Sequence, residues 1–326
     1  MRTSSQRVRS WLLALGAMLV AGSALAAYPD KPIRLIVGFP PGQATDLVAR
    51  AAAKKLQDVL GQAVIVDNKP GAAGIIGSEM VAKAAPDGYT LVVGSSGTMA
   101  INPSLYSKLP YHPIKDFQPV TLLAVVPLFL AVNPAFPAQT AADLVKKAKS
   151  TPGKINYGSA GSGVTSHLTM ELFKQAQGIE LTHVPYKGSP AAVTDLIGGQ
   201  VQAMIDTGPA LLPHMRSGKV RVLAVASRNR NPAAPNVPTM AEAGLGNFEA
   251  PAWVGLAAPK GTPREIVDAL SKALDAKWRD APEIKDQLNA LGAEPAAMTP
   301  DEFTRYIQSE MEKWAAAVKL SGAKVD

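Results

Sequence analysis

The sequence predicts an α/β fold of two domains joined as a hinged clamshell, and three observations carry that expectation. Short apolar runs recur along the 326 residues, each followed by a Gly/Ser/Pro loop and then a helical pattern. Such alternation implies a parallel sheet with helices on both faces. The length exceeds the ~250–300 residues that one hydrophobic core sustains, and the alternation falls into two blocks followed by a helical stretch.

The elements follow in order. Ile33–Val37 is the first strand, and its loop runs from Gly38 through Pro40, Pro41, Gly42 and Gln43 to Asp46. The next helix carries Leu47, Val48, Ala51, Ala52, Leu56, Val59 and Leu60 on one face and is stopped by Gly61. Val64–Val66 leads into Asn68-Lys69-Pro70-Gly71-Ala72-Ala73-Gly74 and a helix ending near Ala85. Leu91–Val93 leads into Gly94-Ser95-Ser96-Gly97-Thr98.

In the second block, Ile155–Tyr157 meets Gly158-Ser159-Ala160-Gly161-Ser162-Gly163, before a helix ending at Gly178. Leu181–Val184 meets Pro185-Tyr186-Lys187-Gly188, and Ser189-Pro190 supplies an N-cap with proline at the first helical position. Ala203–Ile205 leads to Asp206, and Val222–Ala226 is a further strand. Two T-x-x-E capping boxes, at Thr262 and Thr299, open helices in the tail. That tail is too small for its own core and is expected to pack on the first sheet. Pro127–Asn133 and Trp253–Ala258 are then the two crossings. The expected domains are 27–126 with 254–326, and 127–253.

Residues 1–26 read as a secretory signal peptide. Arg2, Arg7 and Arg9 precede an apolar run from Trp11, and Ala24-Leu25-Ala26 offers a small-residue cleavage site. Export with cleavage near Ala26 is expected. Loss of this segment removes three arginines and no acid, so the net charge falls from +7 to +4. That mild balance, with no concentrated basic stripe, argues against nucleic acid as a partner.

The sequence also excludes much chemistry. It has no cysteine, which removes disulfides, thiolate metal sites and cysteine nucleophiles. It has no P-loop, no H-E-x-x-H and no complete G-x-S-x-G. His112, His167, His183 and His214 are scattered through different segments. No catalytic constellation, metal cluster or cofactor is expected. The rival reading, an exported hydrolase or transferase using a serine-rich loop, needs a base within reach of the serine, and only His167 is near one in sequence. A sensory role for a liganded receptor is a third reading.

What remains is a set of loops at the carboxyl ends of strands, the edge where open α/β sheets bind ligands. Helix N-terminal N–H groups there favour an anion, and Thr45, Ser95, Ser96, Thr98, Ser159 and Thr165 add hydroxyls. The loops carry almost no Lys or Arg, so a carboxylate suits them better than a phosphate. Phe39 is the expected aromatic wall. Asp46 is expected to organise the first loop by accepting backbone N–H bonds.

These segments resemble the periplasmic solute receptors of the tripartite tricarboxylate transporter system, the Bug family. The resemblance runs from Tyr28-Pro29-Asp30-Lys31-Pro32 to the terminal helices. Its most specific pieces are Pro40–Asp46, Asn68–Gly74 and Gly158–Gly163 with His167-Leu168. Val184–Gly188 and Asn236–Thr239 with Glu242–Gly244 add to it. The resemblance implies a Venus-flytrap, type II-like binding protein that is not an enzyme. It encloses a small carboxylate, dicarboxylate or aromatic, and delivers it as a monomer to membrane permease subunits. It places ligand contacts at Phe39, Pro41, Gly42, Thr45 and Asp46, at Gly71, Ala72, Ala73 and Gly74, and at Ser95, Ser96 and Thr98. From the second block come Ser159, Gly161, Val164, Thr165 and Asp206. Gln43 and Ala73 stand where the family often has glycine.

Overall fold

The computed structural model describes residues 28–321, so the signal peptide and its cleavage site lie outside the described residues. Two sheets form. In the first, β1 (Ile33–Val37), β2 (Val64–Asn68) and β3 (Thr90–Ser95) run parallel in the order β3-β1-β2. β10 (Ala252–Pro259) lies antiparallel between β3 and β4 (Phe117–Val126), and the two-residue β11 (Glu294–Pro295) closes the edge on β4. The second sheet has the order β7-β6-β8-β5-β9. In it β6 (Asn156–Ser159) is parallel to β7 (Thr182–Pro185) and β8 (Ala203–Thr207). β5 (Leu128–Val132) is antiparallel to both β8 and β9 (Arg221–Val225).

Both sheets are therefore mixed, not parallel as the alternation suggested. Except for the edge strand β11, the antiparallel pairing involves the strands next to the passages between sheets, β4, β5, β9 and β10. β4 ends at Val126 in the first sheet and β5 starts at Leu128 in the second, so the outward crossing is Pro127 alone. The return runs through residues 226–251, tied by Ala226 N–H to Leu128 O at 2.8 Å and Ala250 N–H to Ala226 O at 3.3 Å. Trp253–Ala258 is thus no crossing. It lies within β10, whose eight residues are all buried.

Local sequence explains most boundaries. α1 (Ala44–Leu60) buries Val48, Ala49, Ala52 and Leu56, and Gly61 ends it at φ 70°, donating to Gln57 O. Val59, expected on that face, is 53% exposed. α2 (Ile75–Ala82) ends three residues before the expected Ala85. Two predicted caps differ. Thr299 forms its capping box with Glu302, but the Thr262 hydroxyl instead donates to Pro259 O, and Pro263 takes the cap position. Ser189 likewise makes no cap; its hydroxyl goes to Asp206.

The tail packs on the first sheet. Its last helix (Pro300–Ser321) buries Glu310, which accepts both the Trp253 and Trp314 indole N–H at 3.0 Å. Phe303 fits because position 255 is glycine; a Cβ there would stand 2.2 Å from its ring. No helix among the described residues is long and apolar enough to cross a membrane.

Candidate functional site

The carboxyl ends of β1, β3, β6 and β8 meet where the sheets face each other, and their loops enclose two adjoining cavities. The inner one has about 60 Å³, with Gln43, Thr45, Ser95, Ser96, Thr165, Ser189, Asp206 and Trp253 in its wall. The outer one has about 480 Å³, between Pro70–Gly74 and Tyr186-Lys187-Gly188. Phe39, Ala160 and Val164 line both.

Each loop is built by interactions its sequence dictates. In the first, Asp46 is 1% exposed and its Oδ2 accepts Gly42 N–H at 2.9 Å. Asn68 Nδ2 donates both to Asp46 Oδ1 at 2.9 Å and to Phe39 O at 3.0 Å, joining this loop to the end of β2. Arg50, one turn on, completes the set. Burial alone would raise the Asp46 carboxyl; the bonds from Arg50, Gly42 and Asn68 outweigh it and hold its pKa below the usual value. Loop organisation is therefore its visible role.

Asp46→Ala is expected to lower stability by about 1–3 kcal/mol, the cost of unpaired donors. The sign with pH follows from the depressed pKa. The Asp46 contribution is present above the ordinary carboxylate pKa of about 4 and is lost as pH falls through the lower native value. Thermal unfolding of both proteins should therefore differ at pH 7 and converge toward pH 2. Equal midpoints at pH 7 would refute this.

The second loop is strained. Gly71, Ala72, Ala73 and Gly74 all have positive φ, at 139°, 46°, 52° and 84°. For the two alanines this costs on the order of 1–3 kcal/mol each. Asn102 Nδ2 holds the loop through Ala73 O at 3.3 Å, and a Cβ at Gly74 would strike Thr98 at 2.6 Å. In the third loop, Thr98 Oγ1 accepts Ser95 N–H at 3.0 Å, while Ser96 Oγ meets Thr165 Oγ1 at 2.9 Å. That last contact spans the two sheets.

The fourth loop leans on histidines that looked scattered in sequence. Register places Tyr157 beside His183 across β6 and β7, and their rings stack at 4.9 Å. His167 stacks on His183 at 3.9 Å, and its Nδ1 accepts Gly163 N–H at 3.0 Å. Burial, then the neighbouring His167 and Lys174, push His183 down to about 3; burial also lowers His167. Both rings are neutral loop supports at physiological pH. Ser159 Oγ lies 2.7 Å from His183 Nε2, so the base near a serine is His183 rather than His167. Ser159 is fully buried, however, and its hydroxyl also bonds Gly161 N–H and O. A nucleophile needs access that this hydroxyl lacks.

Asp206 is 3% exposed. Its Oδ2 accepts Ser189 Oγ at 2.8 Å, and its Oδ1 accepts Thr207 N–H at 2.7 Å and Oγ1 at 3.3 Å. Burial raises its carboxyl to about 6, against the opposing pull of Thr207 and Ser189.

Of the residues expected at the site, Phe39, Thr45, Gly71, Ala72, Ala73, Gly74, Ser95, Ser96, Gly161, Val164, Thr165 and Asp206 line these cavities. Pro41, Gly42, Asp46, Thr98 and Ser159 line neither. Sequence reasoning named no individual ligand contact at Gln43, Ala160, Ser189, Thr207 or Trp253, although Gln43, Ala160 and Thr207 lie in loops it assigned to the site. It treated Gln43 only as a departure, and it read Trp253 as a crossing. Lys187 brings one exposed cation to the outer rim. Among the described residues no cluster of His, Asp and Glu is placed to hold a metal ion.

Comparison with known proteins finds similarity over nearly the whole chain. The sequence profile described as the tripartite tricarboxylate transporter family receptor matches residues 48–322. The protein BugT of Bordetella pertussis is 40% identical over 321 residues, covering 96% of this chain and 98% of its own. An R. palustris protein solved with adipate superposes with TM-score 0.88 at 37% identity, covering 91% of this chain and all of that one. MatC from Rhodopseudomonas palustris with bound malate gives 0.82 at 35%, covering 89% and 100%.

Proposed function

The chain belongs to the tripartite tricarboxylate transporter receptor family, a family of solute-binding receptors rather than enzymes, and from that premise we propose that it captures a small carboxylate between its sheets for a membrane permease. One observation carries the ligand site: the loops of both sheets converge on one pair of cavities and touch through Ser96 and Thr165. Ser and Thr residues and Gln43 line the inner cavity with no Lys or Arg, which supports a carboxylate held by dipoles. Relatives solved with adipate and malate support that class.

In this reading residues 27–126 with 254–326 form one domain and 127–253 the other. They close on ligand as a monomer after export and cleavage near Ala26. Permease subunits are the partner. The test is a thermal-shift screen of carboxylates on the mature protein. Ligand at 100 times its Kd adds about 2.7 kcal/mol to the folded state, which should raise Tm by several degrees. A broad panel, aliphatic and aromatic, that shifts nothing would defeat the proposal.

A further inference from the structure

Two residues in the wall of the inner cavity, Gln43 and Asp206, keep hydrogen-bonding capacity that the fold leaves unused. Gln43 is 8% exposed, and its Nε2 has no hydrogen-bond partner. A buried amide left unpaired is a net burden on the fold. Gly188 leaves it just enough room, since a Cβ there would stand 2.5 Å from Nε2. Asp206 lines the same cavity. Its Oδ2 accepts only Ser189, leaving lone-pair capacity for one more donor. No Lys, Arg or His lines this wall.

A space of about 60 Å³ takes one small terminal group. The body of the ligand then occupies the outer cavity, continuous through Phe39, Ala160 and Val164. Candidate heads differ in what they offer. An ammonium has hydrogens for Asp206 but leaves the Gln43 donor unpaired. An ionised carboxylate accepts from Gln43 but sets a second negative charge against Asp206. A planar group with one oxygen and one N–H or O–H satisfies both.

Resting on the receptor reading above, we propose that the inner cavity takes a ligand head that accepts from Gln43 and donates to Asp206: a primary carboxamide, or a carboxyl that binds together with one proton. In the second case the proton bridges the two carboxyls, because like charges so close cannot both ionise. Burial already holds the Asp206 carboxyl near pH 6. Asp206 is the one titratable residue in this wall. Lys187 borders the outer cavity, Asp46 pairs with Arg50 behind the first loop, and His183 and His167 lie beyond β6, engaged with Ser159 and Gly163.

The test uses α,ω-dicarboxylates of four to six carbons and their mono-amides, titrated calorimetrically at pH 5 and pH 8 in two buffers. The mono-amide that fits is expected to bind more tightly at pH 8, where Asp206 is ionised, than at pH 5, and roughly tenfold or more tighter than its diacid at pH 8. The diacid should tighten at least tenfold from pH 8 to pH 5 and take up about one proton on binding at pH 8, and much less at pH 5, where Asp206 already carries it. Asp206→Asn, which donates where Asp206 accepts, should bind diacid without proton uptake. Gln43→Leu should weaken both ligands. Diacid affinity equal at the two pH values with no proton uptake would overturn the proposal, as would preference for a ligand whose second group is an amine. Should Asp206→Asn fail to fold, the wild-type titrations alone decide. Absence of binding by every acid and amide at either pH would instead sink the receptor reading, and this inference with it.

Discussion

Gly161→Leu is expected to weaken ligand binding roughly 100-fold, about 2.7 kcal/mol, while the protein stays folded. Gly161 sits at φ 146°, a conformation in which side chains are strained by about 1–3 kcal/mol. A Cβ there would stand 3.3 Å from Tyr186 O, and the rest of a leucine would enter the outer cavity that Gly161 lines. Both effects act on the second sheet's contribution to the site. The loops at Gly42 and Ala72 stay as they are, and the core beneath is untouched, so Tm should fall by only a few degrees. Titration with a carboxylate that stabilises the wild type measures the affinity. Small-angle scattering with and without that ligand reports whether the particle still compacts. Wild-type affinity in the variant would remove this loop from the site.

The sequence made the strand–loop–helix order legible because each step has a local cause. Gly61 ends α1 since its φ of 70° suits glycine, and Thr299 caps its helix since Glu302 answers it. Identical local signals fail where tertiary partners compete. Thr262 carries the same motif as Thr299, yet the nearby Pro259 carbonyl takes its hydroxyl. Ser189 reads as a cap, yet a buried carboxylate seventeen residues on claims it. Strand direction has no local signal at all: β10 is a continuous buried run that reads alike in either orientation, which is how it passed for a crossing.

The site divides along the same line. Gly/Ser loops at strand ends announce themselves, whereas the support beneath them does not. Ser159 and His183 are 24 residues apart and meet through the pairing of β6 with β7. Gln43 was visible as a departure from glycine. That its Nε2 would end buried and unpaired depends on Gly188, far along the chain and in the other sheet's loops.

The close approach of Gly208 to Gly292 should govern how completely the two halves come together. Gly208 follows the cavity residues Asp206 and Thr207 directly and opens a short helix (Gly208–Arg216). A Cβ on it would lie 2.4 Å from Leu291 O and 2.9 Å from Gly292 Cα, contacts that belong to the tail packed on the first sheet. Backbone cannot yield as a flexible side chain can. Neighbouring bonds hold the same seam, from Asn231 Nδ2 to Gly292 O at 3.2 Å and Arg216 Nη2 to Ala290 O at 2.9 Å. Gly208→Val therefore places a wedge between the halves. Overpacking typically costs about 1–3 kcal/mol; if it falls on the closed form alone, apparent affinity drops by roughly 5- to 150-fold, because only the competent fraction binds. The open form is relieved of the clash, so ligand-free thermal stability should change less than affinity does. Scattering should show a ligand-saturated variant larger than the saturated wild type. Equal dimensions with unchanged affinity would mean that the seam opens freely during capture and that closure does not depend on it.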